Sequence, residues 1–96
     1  MRLVRWASER KRQHFLGAFT MDQVAMHSKS DDCWMVLDGI VYDVTEFIAM
    51  HPGGAKTIME YAGIDCTQAF NKAHGYVNIK ELLGNDIVGV LVAHKD

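Results

Sequence analysis

Two apolar five-residue runs separated by Asp38-Gly39 constrain the middle of this 96-residue chain more than any other feature. Cys33-Trp34-Met35-Val36-Leu37 and Ile40-Val41-Tyr42-Asp43-Val44 have the length and β-branched or aromatic content of strands. Asp-Gly readily takes the positive φ angles of a type I′ turn, whose twist suits a tight hairpin. Around that hairpin the periodicity turns helical. Thr20-Met21-Asp22-Gln23 has the capping-box pattern and predicts a short helix to about His27, ended by the polar stretch Ser28 to Asp32. Thr45 is expected to cap a short helix carrying Phe47 and Ile48. Ala55 to Ala62 reads as a helix with Ile58, Met59 and Ala62 on one side, closed by Gly63 in the left-handed position.

Asp65 or Thr67 can start the next helix, holding Ala69, Phe70 and Ala73. Asn78-Ile79-Lys80-Glu81 repeats the capping logic, and Gly84 is expected to stop that helix. Ile87 to Val92 is a strand candidate interrupted at Gly89. Short helices alternating irregularly with a few strands make an α+β domain, and the length allows one core. Charge divides the chain: residues 1–19 hold five basic side chains against Glu9, net +4, while five basic and eleven acidic residues from Thr20 onward give −6. The expected organisation is a basic, flexible N-terminal arm over 1–19, a domain over 20–93 and a tail over 94–96. The arm reads as a solvated leader, the alternative being contact with an anionic surface, nucleic acid or an import receptor. No apolar run reaches about 18 residues, so no membrane anchor is expected, and the start lacks the pattern of a secretory signal. Cys33 and Cys66 form no metal-binding cluster and suit free, buried thiols in a reducing compartment.

The candidate chemistry lies in two of the five histidines. His14 and His94 fall near the ends and read as solvated, and His27 sits at a helix end, where an imidazole can serve carbonyls or the helix dipole. His51 opens His51-Pro52-Gly53-Gly54, in which Pro52 fixes the chain direction while the glycines let a large flat group approach the backbone. His74 follows 23 residues later, after a helix, a glycine turn and a helix that can bring the two ends together. Two imidazoles on opposite faces of a porphyrin need ring nitrogens about 4 Å apart, each Fe–N bond being about 2 Å. A haem site also needs an apolar slot. Leu37, Val44, Phe47, Ile58, Phe70 and Leu82 adjoin the two histidines, although such residues also serve simply as core. Zinc held by these histidines with Cys33 and Cys66 is a competitor whose spacings match no compact module. Ligation by Met26, Met35, Met50 or Met59 is another, weighed against their use as packing filler.

Taken in order, Asp32-Cys33-Trp34, Ile40-Val41-Tyr42-Asp43-Val44-Thr45, His51-Pro52-Gly53-Gly54, Ala62-Gly63-Ile64-Asp65, Phe70 before His74, and Gly89 make the chain from Thr20 to about Val92 resemble the cytochrome b5 haem-binding domain. The resemblance implies a small mixed sheet with short helices forming a pocket for haem b. The iron is then held non-covalently by His51 and His74, with Pro52 and Gly53 beside it and Leu37, Val44, Phe47, Ile58, Phe70 and Leu82 lining the pocket. Trp34 and Tyr42 correspond to packing positions. Ala73-His74-Gly75-Tyr76-Val77-Asn78 is most similar to the domain fused to a flavin reductase in soluble NADH–cytochrome b5 oxidoreductases. Gly75 stands where the family often has a propionate-contacting serine, so Tyr76 or a backbone amide is expected to substitute. Ala55 and Lys56 replace the acidic residues that often follow the two glycines, which alters the usual docking surface.

The implied activity is one-electron transfer from a flavin reductase to an acceptor protein by a soluble, intracellular monomer without nucleic-acid partners or catalytic residues. A redox domain of a larger oxidoreductase is the first alternative. A regulatory module binding haem or steroid-like ligands is the second, and the histidine pair speaks against it.

Overall fold

The computed structural model describes residues 15–50, 56, 58–72 and 83–93. Five strands form one mixed sheet: β1 (Gly17–Phe19), β2 (Ser28–Lys29), β3 (Asp32–Leu37), β4 (Ile40–Asp43) and β5 (Ile87–Leu91), in the spatial order β1-β5-β4-β3-β2. Three helices are described, α1 (Met21–Ala25), α2 (Thr45–Met50) and α3 (Thr67–Lys72), with a 3-10 turn at Gly84–Asp86. The expected α+β class holds.

The hairpin forms as its sequence dictates. Trp34 faces Asp43 and Leu37 faces Ile40 across the β3–β4 ladder, while Asp38 and Gly39 take φ of 53° and 77°. Alternation along β3 then builds two cores. Cys33, Met35 and Leu37 join Tyr42, Val44, Phe47, Ile48, Cys66 and Leu83 on one side of the sheet. Trp34 and Val36 join Val24, Val41 and Val88 on the other. With side chains repeating every two residues, a strand buried on both faces must be apolar almost throughout. β3 is buried at every position from Cys33 to Leu37.

The outer edge of β3 is also occupied. β2 pairs with its first two residues, and the Trp34 amide donates to the His27 carbonyl at 2.8 Å. Past that point the segment 63–66 takes over. Gly63 N–H donates to Trp34 O, Val36 N–H to Ile64 O, and Cys66 N–H to Val36 O, at 2.7 to 3.0 Å. Gly63, at φ 74°, holds the expected left-handed position, and its missing Cβ would lie 3.1 Å from Ser28 Cβ. The Thr20–Gln23 capping box is complete, with the Gln23 amide donating to Thr20 Oγ1 at 3.2 Å and the Thr20 amide to Gln23 Oε1 at 2.9 Å.

Two expectations need correction, the extent of the basic arm and the part played by Gly89. The basic arm does not extend to residue 19, because Gly17–Phe19 pairs in parallel with β5 as an edge strand. The polar stretch after α1 contains β2. Gly84 opens a 3-10 turn, and the helix expected to stop there lies outside the described residues. Gly89 sits inside β5 rather than interrupting it. It is required there, since a Cβ would stand 2.2 Å from the Gly17 carbonyl oxygen and 2.6 Å from the Phe19 ring. A register shift between Val41 and Tyr42 leaves Val88 as the extra residue of a bulge and turns it into the second core.

Both cysteines are free and buried in the same core. Burial, reinforced by Asp43 and Asp32, pushes the Cys33 thiol up to about 11. Burial and Asp65 push the Cys66 thiol up to about 12, and its Sγ–H donates to Val36 O at 3.0 Å.

Two outcomes follow. Gly89→Ala forces β1 and Phe19 away from β5 and should lower the unfolding free energy by about 1–3 kcal/mol in urea melts followed by circular dichroism. The native thiols should resist an aromatic disulfide reagent at pH 8 and react fully in guanidinium. Because the folded chain holds these protons more tightly than the unfolded one, their contribution is intact below pH about 9 and declines as pH rises through about 11 to 12. A urea midpoint that rises across that window would contradict this.

Candidate functional site

The residues expected around the iron fall into two groups. Leu37, Val44 and Phe47 are all buried, at 2 %, 0 % and 7 % exposure, and belong to one apolar cluster. Ile58, helical and partly buried, packs against it. The structure therefore brings together every expected pocket residue whose side chain it describes. Phe70 lies on α3, with its side chain outside the described residues. His51, Pro52, Gly53, His74, Tyr76 and Leu82 also lie outside them.

Met35, Ile48 and Leu83 belong to the same cluster and were not among the expected pocket residues. A signal for Met35 was available: it shares a face with Cys33 and Leu37 at the two-residue period of a strand. Leu83 adjoins the expected Leu82 in sequence. Trp34 and Tyr42 are buried packing residues, as expected.

Two short helices lead from this cluster towards the histidines in sequence, and one device starts both. At α2, Asp43 Oδ1 accepts from the Thr45 amide at 3.1 Å and from the Thr45 hydroxyl at 2.6 Å. The Thr45 oxygen in turn accepts from the Cys33 amide at 2.9 Å. Thr45 is thus not the cap that its position suggested. The carboxylate of Asp43 serves the first amide of the helix, while the hydroxyl is committed to β3. At α3, Asp65 Oδ1 accepts from the Thr67 amide at 3.0 Å and its hydroxyl at 2.6 Å. Thr67 Oγ1 accepts from the Asp38 amide at 2.8 Å. Asp65 and Thr67 were weighed as alternative helix starts, and they act jointly. His51 directly follows the last described residue of α2, and His74 comes two residues after the last described residue of α3.

His27 belongs to the opposite side of the sheet. Its ring stacks on Trp34 with centroids 3.7 Å apart and planes 7° from parallel, and Nδ1 lies 2.7 Å from Asp32 Oδ1. Phe19 meets Trp34 edge-on from a centroid distance of 4.8 Å. The structural role expected for His27 holds, although its partners are an indole face and a carboxylate rather than helix carbonyls. His14 and His94 lie outside the described residues.

The described part of the site suits a flat, apolar group. The cluster around Leu37, Val44 and Phe47 gathers Met35, Ile48 and Leu83 with the partly buried Ile40, Ile58 and Met59. Cys33 and Cys66 both belong to that cluster. Among the described residues no group of three or more His, Cys, Asp or Glu side chains is placed to hold a metal ion.

Comparison with known proteins agrees with this geometry. The family model for the cytochrome b5-like heme/steroid binding domain matches residues 20–92. A curated relative, an uncharacterized heme-binding protein of Schizosaccharomyces pombe, is 44% identical over 73 residues, covering 76% of this chain and 50% of its own. Cytochrome b5 reductase 4 of Rattus norvegicus is 40% identical over 70 residues, covering 73% of this chain and 14% of that protein. The chain thus spans half or less of the length of these curated relatives. Among solved structures, cytochrome b558 of Ectothiorhodospira vacuolata, described as a prokaryotic homologue of cytochrome b5, superposes with a TM-score of 0.65 at 34% identity. That match covers 79% of this chain and 99% of the other. With its sheet, its apolar cluster and three quarters of its length matched, the chain belongs to the cytochrome b5-like heme/steroid binding domain family.

Proposed function

We propose that this chain binds haem b without a covalent link, through His51 and His74 as axial ligands, and carries single electrons from a flavin-containing reductase to an acceptor protein. The observation that carries the reading is the apolar cluster of Leu37, Val44, Phe47 and Ile58, flanked by two short helices that each lead in sequence to a histidine. When bound, haem supplies a ferric/ferrous couple.

The protein's part in that chemistry is to bind, orient and exclude. Leu37, Val44, Phe47 and Ile58, with Phe70 and Leu82, hold the hydrocarbon of the ring and keep water from its faces. Pro52 and Gly53 shape the approach beside His51, and Tyr76 serves the propionate edge. His51 and His74 would hold the iron, and with both imidazoles committed to it the bound group would supply electron transfer in preference to binding of oxygen or substrate.

In this reading the haem-binding unit is the segment proposed as 20–93, extended by β1, and it works as a monomer. Among the described residues no helix is long and apolar enough to cross a membrane. The buried free thiols favour a reducing, intracellular location. A redox domain within a larger oxidoreductase is the second reading, supported by the match to only 14% of cytochrome b5 reductase 4.

Purified protein titrated with hemin should take up one equivalent and give a sharp low-spin ferrous spectrum after dithionite. His51→Ala and His74→Ala should each abolish that spectrum, and one unchanged would strike its histidine from the ligand set. Reduction by a flavin reductase at substoichiometric amounts tests the carrier role. A five-coordinate spectrum, or tight steroid binding by the haem-free protein, would instead indicate a regulatory binding module.

A further inference from the structure

The paired Asp-x-Thr devices have a consequence beyond starting two helices. We propose that Asp43–Thr45 and Asp65–Thr67 are positioning residues for the haem ligands, tying the helices that lead to His51 and His74 to the two ends of β3, so that this one strand sets the spacing of the clamp. The inference rests on the histidine pair proposed above and concerns residues that touch neither iron nor porphyrin.

The two devices match atom for atom. In each, one carboxylate oxygen accepts from the Thr amide and the Thr hydroxyl, and donation of that hydroxyl proton leaves the oxygen's lone pairs for a distant amide. The distant amides are Cys33, second residue of β3, and Asp38, the first residue beyond it. Five residues of extended chain separate them, about 17 Å at the rise of a strand. Local capping needs only the carboxylate–amide contact. The hydroxyl-to-strand bond, reaching 12 residues back in one case and 29 in the other, adds nothing to the cap and fixes where the helix stands relative to the sheet.

The backbone reinforces both ties. Val44 N–H donates to Cys33 O at 2.8 Å, and Cys66 N–H donates to Val36 O at 2.9 Å, so the residue between Asp and Thr is itself bonded to β3. The spacing from threonine to histidine is six residues in the first arm and seven in the second. A displacement of either helix start therefore passes to its histidine through less than two helical turns of chain. The devices differ in one respect. The Cys33–Thr45 bond is partly buried and the Asp38–Thr67 bond is exposed, so water can replace the second more readily than the first.

The test compares hemin-loaded wild type with Thr45→Val, Thr67→Val, Thr45→Ser and Thr67→Ser. It reads haem loss to an excess of a haem-scavenging apoprotein, the midpoint potential, and the electron paramagnetic resonance of the ferric state. Valine keeps the shape and removes the hydroxyl, whereas serine keeps the hydroxyl. Thr45→Val should speed haem loss about tenfold and Thr67→Val about two- to threefold. Both should broaden or shift the low-spin signal, and both serine variants should stay within about twofold of wild type.

Gly89→Ala, which weakens the β1–β5 edge, serves as the control for general destabilisation and should leave the ferric signal unchanged. The proposal is overturned if the valine variants lose haem at the wild-type rate with an unaltered signal and potential. It is equally overturned if Gly89→Ala moves the signal as much as they do. Should Thr45→Val fail to fold, Thr67→Val, at the more exposed of the two bonds, and its serine counterpart decide the matter by the same readings. A wild-type protein without a low-spin spectrum would overturn the ligand assignment and this inference with it. That result is seen before any threonine variant is compared.

Discussion

Everything in this domain is referred to β3. It is buried on both faces from Cys33 to Leu37, paired with β4 along one edge and covered by β2 and the 63–66 segment along the other. A strand so placed has no exposed edge to slip or to recruit another chain. Its register is fixed by burial, because a shift of one residue would exchange Met35 with Trp34 or Val36 between the two cores. The helices that lead to His51 and His74 then hang from its two ends, so a rigid ruler lies beneath a site assembled from short, otherwise weak elements. Helices of six residues would not persist alone in water, and tertiary anchoring supplies what helix propensity cannot.

The two cores divide the work. On one side, Val24, Trp34, Val36, Val41 and Val88 close against α1 with no expected site residue among them. His27 and Phe19 complete that side around the Trp34 ring, one stacked and one edge-on. The other side carries Leu37, Val44 and Phe47, with Met35, Ile48 and Leu83 beneath or beside them. A large flat hydrophobe bound there becomes part of a core, so cofactor affinity and fold stability draw on the same apolar surface.

What could be read from the chain follows the range of the interactions involved. The Asp38-Gly39 hairpin and the Thr20–Gln23 box depend on neighbours within a few residues, and both stand in the structure as their sequences dictate. Gly63 takes the expected left-handed φ, but the helix ahead of it gives way to turns after Met59 instead of running to Ala62. Gly89 read as an interruption because its reason lies far away, in the Gly17 carbonyl and the Phe19 ring. The same distance hid β1, which has three residues, too few for any periodicity, and forms only when β5 is beside it. Thr45 looked like a cap because hydroxyls at helix starts usually are. Its oxygen went instead to the Cys33 amide, a partner that exists only once the hairpin has folded. The pocket was legible to the extent that its described side chains, Leu37, Val44, Phe47 and Ile58, do share one cluster. Met35 was weighed only as a ligand against packing filler and not as a pocket residue, although the strand period places it on the same face.

The central claim concerns the iron, and a crystal structure of the protein loaded with one equivalent of hemin tests it most directly. The account predicts one ring nitrogen from His51 and one from His74 at about 2 Å from the metal, on opposite faces of the porphyrin. It also predicts Leu37, Val44, Phe47 and Ile58 against the ring. Iron bound by a methionine, a thiolate or water in place of either imidazole would contradict it.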